Sequence, residues 1–160
     1  MSWSRRGVLA ALALVPACGF TPAYAPGGRG AALDGAVSVR QFDTVDGYTL
    51  ALALRNRLGP PDTPRYELTY SVSVASEAVA VTTAQSTRRF NLIGRAPYRL
   101  EDMATGQVLA SGTAQAFSSY SALGTSVATE AAERDGRERL MRLLADRIVV
   151  DLIAAPAVAP

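Results

Sequence analysis

Residues 66–74 read YELTYSVSV, and the alternation in this stretch decides the fold class. Tyr66, Leu68, Tyr70, Val72 and Val74 alternate with Glu67, Thr69, Ser71 and Ser73. A period of two puts the first set on one side of a strand and the second set on the other. One side is built for burial and the other for water, as in an antiparallel sheet covered on one face only. The pattern allows the strand to run on to Val81.

The same alternation recurs downstream. Over Thr87–Leu100, Phe90, Leu92, Ala96, Tyr98 and Leu100 stand opposite Arg89, Asn91, Arg95 and Arg99. Met103–Gly106 reads as a turn. Gln107–Ser119 reads as a third long strand, with the small residues Ala110, Gly112, Ala114 and Ala116 on one face. Consecutive strands joined by short loops imply a meander. From Thr125 the period becomes helical and holds to about Ile153. Val127, Ala131, Leu140, Leu143, Leu144, Ile148 and Leu152 form the apolar side, and Gly136 is expected to be a weak point costing ~1 kcal/mol relative to Ala. Upstream, Val37–Phe42 reads as a short strand. Gly47–Leu58 reads as a helix with Asp46 as N-cap, a Leu50/Leu54/Leu58 stripe, and a stop at Gly59-Pro60-Pro61.

The expected order is therefore β-α-β-β-β-α. The fold class is α+β: a small mixed, mainly antiparallel sheet with two helices packed on one face. The expected single domain spans residues 35–154, and 155–160 reads as a disordered tail.

The N-terminal residues carry a different signal. Met1–Arg6 holds Arg5 and Arg6, and Gly7–Ala17 is uncharged and mostly Leu, Ala and Val. These are the n- and h-regions of a signal peptide over residues 1–17, too short for a membrane span. Val15-Pro16-Ala17-Cys18 fits a lipobox, in which the Cys thiol takes a diacylglyceryl group and becomes the first mature residue. Cys18 is the chain's one cysteine. A buried free thiol in a helix is the alternative; Pro16 and Gly19 argue against a continuing helix there. Ser4-Arg5-Arg6-Gly7-Val8-Leu9 also resembles a twin-arginine export signal. Residues 18–34, rich in Gly, Pro and Ala, read as a lipidated tether.

Composition excludes more than it proposes. The chain has 16 Arg, no Lys, no His and 14 acidic residues. Cleavage before Cys18 removes Arg5 and Arg6 and brings the side chains to neutrality, so no basic field points to nucleic acid. Without His there is no Ser-His-Asp machinery and no imidazole metal site. Without Lys there is no P-loop or Schiff base. No cofactor is expected beyond the covalent lipid on Cys18. The surviving enzymatic option, a carboxylate pair, has Glu101/Asp102 and Glu130/Glu133 as its candidates. A binding strip is the stronger candidate site. Arg89, Arg95 and Arg99 share one strand face, with Arg88 at its start, and such a strip suits anionic ligands or a partner. A solvated face that guards against edge pairing is the plain alternative.

Two segments together resemble a known family. Cys18-Gly19-Phe20-Thr21-Pro22-Ala23-Tyr24-Ala25 is similar to the CGF-x-P-x-Y opening of the lipopolysaccharide-assembly lipoproteins, the LptE family, especially alphaproteobacterial members. SSYSALGTSVATEAAERDGRERLMRLLADRIVVDLIA (Ser118–Ala154) resembles their C-terminal pattern. The resemblance implies a non-enzymatic lipoprotein of the outer membrane, on its periplasmic side. It would plug and help assemble the β-barrel LptD, bind lipopolysaccharide, and assist its delivery to the cell surface. Cys18 alone carries over as a motif-matched functional residue. Two rival readings are an auxiliary lipoprotein of a periplasmic lipid-transport ABC system and a lipid-anchored hydrolase using carboxylates.

Overall fold

The computed structural model describes residues 22–40, 43–79, 88–122 and 125–158, the side chain of Arg88 excepted. The elements are α1 (Arg29–Leu33), β1 (Val37–Val39), α2 (Val45–Leu58), β2 (Tyr66–Tyr70), β3 (Ser73–Val79), β4 (Arg88–Asp102), β5 (Val108–Ala122) and α3 (Ser126–Ala154).

The stretch YELTYSVSV is divided between β2 and β3, yet both pair with β4 in one register. Tyr70 lies opposite Tyr98; Ser73, three residues on, lies opposite Arg95, three residues back. The cause of the interruption is Pro97. Ser71 donates its N–H to the Pro97 carbonyl at 3.1 Å, but proline has no N–H to return. One rung of the ladder is lost and the strand direction is kept. β5 pairs with β4 from Arg88↔Ala122 to Glu101↔Val108 and so fills its other edge. β1 pairs parallel with β2, Val37 against Tyr66 and Val39 against Leu68. Across the sheet the order is β1, then β2 and β3 end to end, then β4, then β5. The expected mixed, mainly antiparallel α+β fold is what forms. The three long strands of the meander are present, with the first of them split.

Tyr66, Leu68, Tyr70, Leu92, Ala96, Tyr98, Leu100 and Ala114 are buried on one sheet face. Both long helices cover that face. Tyr70 donates its hydroxyl to the Gly47 carbonyl of α2 at 2.7 Å, and Tyr98 donates to Asp151 Oδ2 of α3 at 3.3 Å. α2 buries the Leu50, Leu54 and Leu58 stripe, and α3 buries Leu140, Leu144, Ile148 and Leu152. Each fully buried Leu or Ile is worth roughly 2 kcal/mol of transfer free energy, so these seven fix the helices far more strongly than helix propensity does.

Several local expectations are corrected. α2 starts at Val45, because Thr44 Oγ1 accepts the Gly47 N–H at 3.0 Å and takes the capping role assigned to Asp46. Asp46 instead pairs with Arg137 Nη1 at 2.9 Å and ties α2 to α3. On α3, Val127 is 75% exposed and Leu143 42%, while Met141, Ala145 and Val149 fill the seam in their place. Gly136 keeps its propensity cost but has a packing role. It is buried, and a Cβ there would stand 3.3 Å from Leu92 Cδ1 and 3.5 Å from Tyr120 Cβ. Its bare backbone lets the helix settle close to the sheet.

The packed unit also reaches past both expected ends. Within the residues read as a tether, Arg29–Leu33 is helical and Leu33 is 1% exposed. Gly35 donates its N–H to the Leu58 carbonyl at 2.7 Å, so this segment closes the C-terminal end of α2. Tyr24 lies against Gly30, where a Cβ would stand 3.0 Å from its ring. Within the residues read as a disordered tail, Val158 is fully buried. Cys18, the leader, Phe20, the Gln41-Phe42 end of the first strand, and residues 80–87 lie outside the described residues.

Candidate functional site: the open sheet face

The face turned away from the helices carries the other half of the alternation. β4 contributes Arg95, Pro97 and Arg99, and β5 contributes Thr113 and Gln115, all exposed. Glu67 and Thr69 of β2 are half-buried beside them. Where Pro97 breaks the ladder the surface dips. A shallow depression of about 330 Å³ is lined by Thr69, Tyr70, Ser71, Pro97, Tyr98 and Arg99.

The strand period places Arg95 and Arg99 two residues either side of Pro97, flanking this depression. Arg89 shares their face but lies six residues from Arg95, ~20 Å along the strand. Arg88 opens β4. Of the predicted strip, Arg99 lines the depression; Arg95 lies two residues before Pro97 on the same face, and Arg89 stays apart. Arg99 Nε contacts Glu101 Oε1. Arg95 has no ion pair among the described residues. The sequence reading missed Arg40, whose guanidinium Nη2 donates to both Glu67 carboxylate oxygens at 3.1 Å. It also missed an apolar row across the upper face, where Ala75 pairs with Ile93 and Ile93 with Phe117. Phe117 is 77% exposed. The signal was a Phe in the polar register of its strand.

The face can hold an anion chemically. Arg95 and Arg99 offer guanidinium donors for charge-assisted hydrogen bonds, and Thr69 and Ser71 offer hydroxyls at the same depression. The candidate carboxylates are otherwise engaged. Asp102 Oδ1 accepts from the Thr105 N–H at 2.9 Å, the Thr105 hydroxyl at 3.0 Å and the Ala104 N–H at 3.0 Å. The Thr105 hydrogen bonds hold its carboxyl below the usual range. Glu130 pairs with Arg134 at 3.6 Å. Glu133 takes Arg137 Nε at 3.1 Å and the Tyr120 hydroxyl at 3.4 Å. Glu101 lies on the open face against Arg99, whereas Glu130 and Glu133 lie on α3. Among the described residues no His/Cys/Asp/Glu group is placed to hold a metal, and no helix is long and apolar enough to cross a membrane.

The family model of LptE, described as lipopolysaccharide-assembly, matches residues 35–152, nearly the whole packed unit. The chain belongs to the LptE family. Three solved structures share the fold. A protein of Caulobacter crescentus CB15 described as a lipoprotein superposes with a TM-score of 0.67 at 24% identity, covering 79% of this chain and 93% of that one. A minor lipoprotein of Acinetobacter baumannii gives 0.58 at 17%, covering 75% and 91%. Rare lipoprotein B of Shewanella oneidensis gives 0.54 at 14%, covering 74% and 92%. No curated protein matches the chain. In LptE terms, the matched span holds α2, α3 as far as Leu152, β1–β5 and the depression lined by Arg99, and Cys18 lies before it.

Proposed function

We propose that this LptE-family chain is a non-enzymatic lipoprotein of the outer membrane, held on its periplasmic side by lipid on Cys18. It plugs and helps assemble an LptD-type β-barrel and assists delivery of lipopolysaccharide to the cell surface. The observation that carries the reading is the family match over residues 35–152. The open sheet face supports it: beside the apolar row of Ala75, Ile93 and Phe117, its Ser, Thr, Gln and Arg side chains suit the polar lumen of a large barrel. Two or three acyl chains on one terminus give stable attachment where a single chain is marginal. The tether then raises the local concentration of the domain at its barrel. The depression flanked by Arg95 and Arg99 is the proposed contact for the phosphates of lipopolysaccharide.

The contact is tested by the double variant Arg95→Ala/Arg99→Ala. Both side chains are exposed, so its melting temperature should match the parent within about 2 °C. Its affinity for purified lipopolysaccharide should fall by about tenfold or more, since each charge-assisted hydrogen bond contributes about 1.5–3 kcal/mol. Unchanged affinity would remove this face from the reading.

A further inference from the structure

Gly27-Gly28, in the stretch read as a tether, folds the chain back on itself. The Pro22 carbonyl accepts the Ala25 N–H at 3.0 Å, the Ala25 carbonyl accepts the Gly28 N–H at 2.7 Å, and the Ala23 carbonyl accepts the Gly30 N–H at 2.9 Å. Gly27 sits at φ +83°, and a Cβ on Gly28 would stand 2.3 Å from the Ala23 oxygen, so these turns need their glycines. The chain is therefore fastened to the domain from Pro22 onward. Cys18 stands four residues earlier, and four residues span at most ~14 Å. The attachment is at one end of the domain. Gly35 donates to the Leu58 carbonyl, the Gly35 carbonyl accepts the Asp62 N–H at 3.1 Å, and the Arg65 carbonyl accepts the Met103 N–H at 2.9 Å. The N-terminal segment, residues 59–65 and the turn at 103–106 are thus laced together where α2 ends and β1, β2 and β5 begin. At this end Tyr24 is 59% exposed and Met103 55%, and Pro26, Pro60, Pro61 and Pro64 are exposed around them. The formal charges of Arg29, Asp34, Asp62 and Arg65 sum to zero, and Asp102 is spent on its own turn. The opposite end, where α2 and α3 begin, carries Asp43, Asp46, Glu130, Glu133 and Arg134.

We infer that this end of the domain rests on the headgroup layer of the bilayer that holds the Cys18 lipid, with Tyr24 and Met103 at the interface. The inference rests on the proposed lipidation of Cys18 and adds to it an orientation. Acyl chains on Cys18 lie in the membrane, and the ~14 Å of chain that follows keeps the Pro22 end of the domain against it. Four residues alone would let the domain swing, so the surface at that end decides how it settles. Tyr24 has an apolar ring and a polar tip, the combination that sits at headgroup level. Met103 and the prolines add apolar surface without an ammonium or carboxylate to desolvate. Zero net charge leaves no repulsion from anionic headgroups. α2 and α3 run side by side in the same direction, since Asp46 pairs with Arg137 at one end and Arg57 with Asp146 at the other. Both helices therefore point their C-terminal ends at the membrane and hold their charged N-terminal turns away from it.

Tryptophan quenching by brominated phospholipid reads the orientation directly. The chain's one tryptophan, Trp3, lies in the leader, so a tryptophan placed in the domain is the sole such fluorophore after cleavage. Tyr24→Trp, Met103→Trp and, at the opposite end, Val127→Trp are purified with their lipid and reconstituted in phosphatidylethanolamine–phosphatidylglycerol vesicles, with and without bromine on the acyl chains. All three positions are exposed, so the fold should tolerate each change. Tyr24→Trp and Met103→Trp should be quenched about threefold or more as strongly as Val127→Trp, with emission shifted to the blue. Met103→Trp is decisive, because position 24 is near the lipid by sequence alone. Mass spectrometry and vesicle flotation of the same samples read the anchor separately. A chain without acyl mass on Cys18 would remove the anchor and the inference with it. An acylated chain that floats, but whose Met103→Trp form is quenched no more than Val127→Trp, would overturn the inference and leave the anchor standing.

Discussion

Tyr70 shows how one side chain ties sheet to helix. Its ring is buried and its hydroxyl is given to the Gly47 carbonyl, in the first turn of α2. Burial pushes its pKa from 10.0 up to about 12, against the opposing pull of Arg55. The folded state thus holds the proton more tightly than the unfolded chain does. The resulting stability is fully present below pH 10 and is lost as pH rises from 10 toward 12. Tyr70→Phe should cost about 1 kcal/mol at neutral pH, by leaving the Gly47 carbonyl short of a donor. The variant should also lose less stability than the parent on going to alkaline pH. Urea melts at neutral and alkaline pH check both effects; an unchanged alkaline loss would contradict the assignment. Some residues of this kind were legible in the sequence. Tyr70, Arg95 and Arg99 declared their faces by alternation alone. Arg40 did not, because its pairing with Glu67 exists only once β1 lies parallel beside β2. Thr44 and Asp46 are both competent caps, and their roles separate only because Arg137 arrives from α3 to claim the Asp.

The strands were legible because one face of the sheet is wet, so the period of two survives intact in the sequence. The split between β2 and β3 is explained by a proline that sits on the neighbouring strand, 26 residues after Ser71 in register, where no local pattern could reveal it. The seam of α3 was half legible. Its period was clear, but apolar character at Val127 and Leu143 does not say which way they point. The choice depends on the sheet, where small residues on β5 and the two glycines Gly94 and Gly136 draw the helix in. A Cβ at Gly94 would stand 3.0 Å from Leu144 Cδ1 and 3.1 Å from Leu140 Cγ. Gly94→Val should therefore push α3 off β4 and destabilise by about 1–3 kcal/mol, as overpacking does. The thermal midpoint should fall by several degrees, with Gly94→Ala milder. A Gly94→Val protein as stable as the parent would show that the helix does not need this approach.

Among the described residues, two helices cover one sheet face, an N-terminal segment docks Leu33 under the C-terminal end of α2, and the other face is left open. α1 and Val158 draw both ends of the domain into the fold, which shortens any tether to the residues before it. Their burial was hidden in the sequence by Gly-, Ala- and Pro-rich composition, which usually marks a linker. The proposed function requires a barrel around or beside this domain, reached from a lipid on Cys18. Copurification from detergent-solubilised envelope measures that requirement. The wild-type chain is captured by a C-terminal tag, with Cys18→Ala as control. The expected result is a large, heat-modifiable outer-membrane barrel with the wild type and much less of it with Cys18→Ala. Recovery of inner-membrane transporter components instead, or of no barrel with the wild type, would contradict the assignment.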